Sequence, residues 1–282
     1  MIKTNLFSVV RAHTILSTLF LALFLLLPQA YAQDVITPPR PALTAPAAEN
    51  DPKAEQIIER AIKTLGGQSY LNVRALTSRG YYTLFKDGVS GLPLTFVDYV
   101  VYPDRERTEF KGAGVKMIQT NTGDTGWLYD GQAKTLQDMN KEQVEDFRFA
   151  MRTNIDYLLR GFWRKDGAKL SYVGRREAGL AKRNETIRLI YPDGLAVEFE
   201  FGAQDGFPSK VLYKKKDKEG AETTEEDRFA QFVAIEGVMV PFIVDHFRNG
   251  AQSSRINYQS VELKLGNGSA SSAIRLSFRS LP

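Results

Sequence analysis

The sequence predicts an α+β fold in which one large antiparallel sheet carries most of the chain. From residue 74 to residue 265, short segments of alternating character are separated by turns that contain glycine, most of them as Asp-Gly or Asn-Gly. Tight hairpins need positive φ angles, which glycine adopts freely and Asn or Asp tolerate. The turns lie at 86–88, 129–131, 191–194, 204–206, 218–220, 235–237 and 248–250. This spacing predicts an antiparallel meander.

The segments between the turns indicate that the sheet has one apolar face. In the clearest example, Leu195, Val197, Phe199 and Phe201 alternate with Ala196, Glu198 and Glu200. Successive side chains of a strand point to opposite faces, so this pattern predicts one covered face and one wet face. A large sheet of this kind must cover its apolar face, close on itself or use the face for binding.

A first helix is predicted to open the folded domain. Asp51 can cap it and Pro52 can occupy its first position. One apolar stripe then follows at helical spacing, and Gly66-Gly67 ends the helix. The stripe consists of Ala54, Ile57, Ile58, Ala61, Ile62 and Leu65. We expect this helix to pack on the sheet, with a short helical turn at 70–73 before the first strand.

A second helical region interrupts the meander. Asn140 and Gln143 have the spacing of a capping box. The apolar residues that follow at mostly helical spacing are Val144, Phe147, Met151, Ile155, Leu158, Leu159 and Phe162. Asn154 and the segment 161–163 allow a break, so one helix or two are both compatible with the sequence. Strands are expected to resume at Lys169.

The start of the chain predicts export. Lys3 and Arg11 precede an apolar run at 19–27, and Ala30-Tyr31-Ala32 forms a signal-peptidase site, so 1–32 is predicted to be a signal peptide cleaved before Gln33. An uncleaved membrane anchor is the alternative. Even counted from Ile15, however, the apolar segment has thirteen residues, fewer than the roughly 20 that span a bilayer. We therefore expect a periplasmic or secreted protein.

The remaining boundaries follow from composition. Residues 33–50 are rich in Pro and Ala and cannot bury a core, which predicts a disordered linker, although a proline-rich docking motif is an alternative. The folded domain is then 51–265, and 266–282 is a C-terminal tail.

Composition excludes several classes of site. The chain has no cysteine and two histidines, of which only His246 lies outside the predicted signal peptide. Zinc and copper sites of ordinary ligand type draw on several such side chains, so we expect neither a metal nor a cofactor. The mature chain keeps 35 basic residues against 33 acidic ones. This balance argues against a nucleic-acid partner, which needs a concentrated basic patch.

Several segments resemble the LolA-like superfamily, which groups outer-membrane lipoprotein carriers and lipoprotein-sorting proteins. They are Leu-Gly-Gly at 65–67, Tyr-Pro-Asp-Arg-Glu-Arg at 102–107, Gly-Trp-Leu-Tyr-Asp-Gly at 126–131 and Ile-Glu-Gly-Val-Met-Val-Pro at 235–241. The resemblance implies a strongly curved antiparallel sheet, an unclosed half-barrel, whose concave face is covered by helices and can hold an acyl chain. It also implies that the protein has no catalytic residues. The chain departs from the carriers in its longer C-terminal strands and its proline-rich linker, and it lacks the lipidated cysteine of the membrane-bound receptors.

Candidate ligand-binding residues are the apolar side chains expected on the concave face and on the helical lid. They are Trp127, Phe147, Met151, Ile155, Phe199, Phe201, Val240, Phe242 and Val244. Methionine and phenylalanine suit a cleft that adapts to varied chains. The alternative is that these residues are ordinary core, and that Trp127 is a packing anchor.

Candidate polar contacts are Arg105 and Arg107, which lie two apart on a predicted strand and so share a face. On the concave face they could bind a lipid headgroup or hold the lid, whereas on the convex face they are solvated. A basic hairpin tip with Lys214, Lys215, Lys216 and Lys218 is interpreted as solvated, with transient contact to an anionic membrane as the alternative.

The signals for an enzyme are weak. Asp245 and His246 lie in an alternating strand without a nucleophile elbow, and the cluster at 225–227 places neighbouring carboxylates on opposite faces. We therefore expect a non-enzymatic protein that binds or carries a lipid or lipoprotein acyl chains in the periplasm. The alternatives are a protein-interaction or envelope sensor module on the same fold, with an envelope protein as partner, or a hydrolase.

Overall fold

The computed structural model describes residues 50–216 and 220–266. The predicted signal peptide, the linker up to residue 49 and the tail from residue 267 lie outside the described residues, as does the tip of the hairpin at 217–219. Within the described chain, no helix is long and apolar enough to cross a membrane.

The described chain forms one antiparallel sheet of 14 strands, as the turn pattern predicts. The strands are β1 (Val73–Lys86), β2 (Val89–Ser90), β3 (Leu94–Val101), β4 (Arg105–Gly112), β5 (Val115–Thr122), β6 (Gly126–Asp130), β7 (Thr135–Asp138), β8 (Lys169–Glu177), β9 (Arg183–Ile190), β10 (Ala196–Gly202), β11 (Pro208–Lys216), β12 (Glu222–Ile235), β13 (Val238–Arg248) and β14 (Ala251–Leu265).

The first and last long strands pair at the middle of the sheet. The order is β7-β6-β5-β4-β3-β1-β14-β13-β12-β11-β10-β9-β8, with β2 paired to β1 outside this path. β7 and β8 are therefore the two ends of the sheet, which is open. Every other neighbouring pair in this path is consecutive along the described chain or separated only by the short β2. The pairing of β1 with β14 is therefore the long-range contact that joins the two halves of the described sheet.

The helices are α1 (Pro52–Thr64), α2 (Gln68–Leu71), α3 (Lys141–Thr153) and α4 (Ile155–Leu159), followed by a 3₁₀ helix (Phe162–Asp166). Asp51 caps α1 by accepting a hydrogen bond from the Lys53 amide at 2.8 Å, and Pro52 is its first residue. Asn140 and Gln143 form the predicted capping box of α3. The predicted helix starts are thus confirmed.

The second helical region consists of two α-helices. Asn154 has an extended backbone, ends α3 and caps α4 by accepting from the Asp156 amide at 2.7 Å. Because Asn competes for local backbone hydrogen bonds, it favours a cap over a helix interior.

One face of the sheet, which we call the helix face, is packed against α1 and α4. Val197, Phe199 and Phe201 of β10 are at most 1% exposed on this face and join the buried stripe of α1 in a single core. The predicted apolar register of β10 is confirmed, and the predicted curved antiparallel sheet with covering helices is the observed fold class.

The opposite face, which we call the outer face, is less exposed to solvent than the alternation predicted. Arg188 Nε donates to Glu198 at 3.0 Å, and Arg176 lies 2.6 Å from the same carboxylate. Glu200 is 3% exposed and accepts from Asn184 at 2.9 Å. The expectation that these glutamates are simply solvated is therefore wrong, because arginines from neighbouring strands cover them.

The end of α1 lies close to the turn between β12 and β13. Gly66 has a φ of +118°, and a Cβ there would be 2.3 Å from the Gly237 carbonyl oxygen. The Met239 amide donates to the Leu65 carbonyl at 3.0 Å. Glycine at position 66 thus allows the close approach that forms one wall of the cleft described next.

Candidate functional site

An apolar cleft opens on the helix face, between α4 and the ends of β1, β12, β13 and β14. Its cavity volume is about 100 Å³. It is lined by Leu65, Tyr70, Val73, Leu76, Tyr102, Ile155, Asp156, Leu159, Arg160, Pro208, Phe229, Phe232, Val238, Met239, Val240, Pro241 and Leu263. Most of these side chains are aliphatic or aromatic, as is usual for a small-molecule site.

The volume of the cleft limits what it holds without a structural change. An engineered apolar cavity of about 150 Å³ in another protein binds benzene, so the present cleft, at about 100 Å³, accommodates an apolar group smaller than benzene. A complete acyl chain needs the cleft to widen. Two short helices contribute to the lining, α2 through Tyr70 and α4 through Ile155 and Leu159, and a movement of α4 would widen the cleft.

A polar cluster forms one wall of the cleft. The Asp156 carboxylate accepts hydrogen bonds from the hydroxyl groups of Tyr70 and Tyr102, the latter at 2.7 Å. Burial, and then the charge of Asp156, raise the pKa of both tyrosines well above the ordinary value. Both hydroxyls therefore remain protonated and act as donors to Asp156. We call Tyr70, Tyr102, Asp156 and Arg160 the latch.

Arg160 completes the latch and is almost fully buried, with its side chain 6% exposed. It donates to the carbonyl oxygens of Val73 at 3.0 Å and Tyr70 at 3.1 Å, which ties α4 to α2 and β1. Its guanidinium lies 3.8 Å from the centre of the Tyr102 ring, a cation–π contact. Its Nε lies 3.6 Å from Asp156 and has no hydrogen-bond partner within the described residues.

Two of the nine apolar candidates, Ile155 and Val240, line the cleft, and their contact with a ligand stays a prediction. The other candidates on the helix side lie elsewhere in the packing. Phe199 and Phe201 belong to the core cluster, against which Met151 packs, and Phe147 and Val244 are buried. Phe242 contacts Tyr258 with ring centres 6.4 Å apart. A ligand contact for these residues stays a prediction.

Trp127, Arg105 and Arg107 lie on the outer face, away from the cleft. The strand register pairs Arg107 with Thr120 and Thr120 with Trp127 across β4, β5 and β6. Arg107 is 3% exposed, lies 5.5 Å from the Trp127 ring centre and pairs with Glu109 at 2.8 Å. Arg105 is exposed. The solvated interpretation therefore fits Arg105, whereas Arg107 is a buried outer-face residue and Trp127 packs against it.

The polar candidates of the C-terminal half meet on the helix face. Asp227 contacts His246 Nδ1, and Arg248 Nε donates to Glu225 at 2.8 Å. Burial opposes a charge on His246, but Asp227 outweighs it and raises the pKa of the imidazole. The register places Ser254 across from His246 on the next strand, a neighbour that sequence reasoning did not find. None of these residues lines the cleft.

A pair of acidic residues on the helix face was also missed. Asp98 lies across from Ser78 on β1, and Glu106 lies across from Val100 on β3. A polar residue at a position where the alternation calls for an apolar one is the signal that could have found them. Within the described residues, no group of three or more His, Asp or Glu side chains has the geometry of a metal site.

The basic residues near the hairpin tip are paired in the described part of the chain. Lys214 lies 2.5 Å from Glu222, and Lys215 lies 2.9 Å from Asp146 of α3. The side chain of Lys215 is 12% exposed. These contacts favour a structural role for the two lysines, and Lys218 lies outside the described residues.

Comparisons with known proteins show what this fold is similar to. No protein-family model matches the chain, and no curated protein matches it. Solved structures do match. A domain named for outer membrane lipoprotein sorting, from Vibrio parahaemolyticus, is 12% identical with a TM-score of 0.53, and the match covers 80% of this chain and 97% of that domain.

Two further solved structures match to a similar extent. A LolA superfamily protein from Nitrosomonas europaea is 12% identical with a TM-score of 0.51, covering 75% of this chain and 93% of that one. A DUF1329 family protein from Desulfovibrio piger is 11% identical with a TM-score of 0.54, covering 76% and 95%. At these identities the likeness concerns the fold. The resemblance drawn from the sequence is thus confirmed at that level: the chain has the fold of LolA superfamily proteins.

Proposed function

We propose that the protein binds a lipophilic ligand in the cleft and carries it, chemically unchanged, in the compartment outside the inner membrane. The observation that carries this proposal is the apolar cleft itself, which lies beside the dense core under α1. A void of this kind costs stability, so its presence favours a function for it. The predicted signal peptide supports a periplasmic or secreted location.

The latch supports a cleft that opens. α4 is only five residues long. Asp156 and the adjacent Arg160 make polar contacts at the cleft, while Leu158 is buried in the main core. Polar contacts can exchange with water when the helix moves, whereas a packed apolar interface cannot do so at comparable cost. An entering hydrocarbon chain would therefore separate the latch contacts at the cleft first, while buried Leu158 keeps α4 attached to the core.

The class of cargo is proposed from chemistry and from the fold. A lipid tail or the acyl chains of a lipoprotein match an apolar cleft that widens. One solved relative of the same fold is named for outer membrane lipoprotein sorting, which supports acyl chains as the cargo. We therefore propose transient contact with a membrane or with an envelope protein at loading and release.

The test is direct recovery of the ligand followed by a binding assay. Native mass spectrometry of protein purified from its own compartment should show a bound lipid of unchanged mass. The stripped protein should then bind an uncharged fluorescent lipid probe saturably. Protein that carries no lipid and binds no probe would contradict the proposal.

A matched pair of variants tests the location. Val240 lines the cleft, and Val233 lies directly across from it on β12, outside the cleft and 41% exposed. Val240→Glu should weaken probe binding by more than tenfold, and Val233→Glu should leave it within about twofold. Far-UV circular dichroism checks that both variants are folded. Equal effects of the two variants would place the ligand elsewhere.

Two other functions predict different outcomes of the same experiments. A protein-interaction module would bind no lipid probe but would capture a defined envelope protein. A hydrolase would convert its ligand during incubation. The row of Asp227, His246 and Ser254 is the observation nearest to a hydrolase, but Ser254 is 5% exposed and lies outside the cleft, so a bound chain would not reach it.

A further inference from the structure

Two acidic side chains share the helix face with the cleft. Leu76 lines the cleft, and the next residue of β1 on the same face is Ser78. Asp98 of β3 lies directly across from Ser78, and Val100 lies across from Leu76. Glu106 of β4 lies across from Val100. Because directly opposed residues of a sheet share a face, Asp98 and Glu106 lie on the face that carries the cleft, although neither lines it.

The two carboxyl groups have no cationic partner in the described part of the chain. Neither Asp98 nor Glu106 forms an ion pair there, whereas Glu185 pairs with Arg175 at 2.8 Å. Asp98 accepts a hydrogen bond from the Thr108 hydroxyl at 2.8 Å. Both side chains are half-buried, and a carboxylate that loses part of its hydration without gaining a cation has its charged form disfavoured.

A third polar group at the same place also has no partner. Ser78 is 1% exposed, and its Oγ has no hydrogen-bond partner within the described residues. A buried hydroxyl left unpaired costs about 1–3 kcal/mol. Such groups call for an explanation, and an ion held at the site is one of those to consider.

The acidic pair and the cleft are close enough to serve one ligand. Diagonal neighbours on a sheet, such as Leu76 and Asp98, are about 7–8 Å apart. Tyr258 connects the two regions electrostatically: burial raises its pKa, and the charges of Asp98, Glu106 and Asp156 raise it further. Asp156 belongs to the latch, so Tyr258 lies within range of both the acidic pair and the cleft wall.

We propose that Asp98 and Glu106 receive the ammonium group of an amine-bearing amphiphile whose hydrocarbon chain occupies the cleft. The Ser78 hydroxyl accepts one ammonium hydrogen, and the two carboxylates supply the charge. This inference rests on the proposed function, since it names the ligand class of the same cleft. The shared chemistry is a primary ammonium attached to a hydrocarbon chain, as in an alkylamine or an aminophospholipid.

The electrostatics of the empty site agree with this geometry. Burial, and then the neighbouring Glu106, raise the pKa of Asp98 well above its ordinary value, and burial raises the pKa of Glu106. A cation placed between two such groups stabilises their ionised forms. The site is thus one in which an ammonium group gains more than it would at a solvated carboxylate.

The experiment compares ligands that share one chain and differ in the head group. Displacement of an uncharged lipid probe is measured for dodecylamine, dodecanol and dodecanoate on the stripped protein. Wild type should bind dodecylamine at least tenfold more tightly than dodecanol, and dodecanoate more weakly than either. Phosphatidylethanolamine and phosphatidylglycerol, presented in detergent micelles, form the second arm, which distinguishes an aminophospholipid from a free amine.

The variant Asp98→Asn with Glu106→Gln should lose the preference for dodecylamine and retain dodecanol binding. The control, Glu59→Gln with Asp87→Asn, neutralises two exposed carboxylates and should keep the preference. Equal binding of amine and alcohol by wild type, or an unchanged preference in the first variant, would overturn the inference. Failure of the wild type to bind dodecanol would instead contradict the proposed function. Failure of the inference and failure of the proposed function are therefore distinguishable.

Discussion

The latch offers the sharpest test of how α4 is held on the sheet. Asp156→Ala removes the acceptor of two tyrosine hydrogen bonds, and Tyr102→Phe removes one of the donors. If the contacts act as a unit, the cost of the two substitutions cannot add, because the second removes a bond that the first has already broken.

The magnitude follows from the geometry. A hydrogen bond to a charged group contributes about 1.5–3 kcal/mol, so two of them give roughly 3–6 kcal/mol. Asp156 is 32% exposed, and water replaces part of what it loses, which places Asp156→Ala near the lower limit of about 3 kcal/mol. Arg160 keeps its two carbonyl acceptors, so its charge is not left without partners. Tyr102→Phe should cost about 1.5 kcal/mol.

Urea unfolding followed by circular dichroism measures these values in a double-mutant cycle. The double variant should be no less stable than Asp156→Ala alone, which gives a coupling of about 1.5 kcal/mol between the two sites. Simple additivity would show that Tyr102 and Asp156 do not bond in solution and would refute the latch. A parallel measurement of probe dissociation should show faster release from both single variants, since each loosens α4 at the cleft.

Three further results are expected. Phe199→Ala should destabilise the fold by about 3–5 kcal/mol in the same assay, because its ring is fully buried; a cost below 1 kcal/mol would mean that the β10 register is wrong. Val240→Leu should stabilise the fold by about 0.8 kcal/mol by filling the cleft with one methylene and should weaken probe binding, whereas Val89→Leu, at a 70% exposed position, should change neither. Asp98→Asn with Glu106→Gln should stabilise the apo-protein by about 0.5–2 kcal/mol at neutral pH. Because the folded state raises both carboxyl pKa values, the wild type should lose stability relative to this variant as the pH rises from about 4, and a difference independent of pH would contradict the electrostatic account.

The elements that the sequence predicted well are those whose formation depends on residues close to one another in the chain. Asp51 with Pro52, and Asn140 with Gln143, satisfy backbone groups within one turn of helix, so no distant residue decides whether they form. The Asp-Gly and Asn-Gly turns are local in the same sense. The split at Asn154 was left open because its backbone can either continue a helix or cap the next one, and the packing of α4 on the sheet decides between the two.

The pairing of β1 with β14 could not be derived in the same way. Leu76 pairs with Leu263 across nearly the whole domain, and nothing in either segment specifies the other. Alternation tells which residues share a face, but it does not tell which part of that face a helix covers. For that reason Phe199 and Val240 looked equivalent in the sequence, although α1 buries the first and the second lines the cleft.

The residues that break the alternation carry the information that was missed. Ser78 and Asp98 occupy inward positions where Leu76 and Phe96 show that an apolar side chain fits. A sequence under selection for stability alone would place an apolar residue at such a position, because a half-buried carboxylate without a cation opposes folding. Departures from a local rule concentrate where function requires them. The increase in apo-protein stability expected on neutralising Asp98 and Glu106, together with the loss of amine preference in the same variant, would show that this part of the sheet gives up stability for recognition.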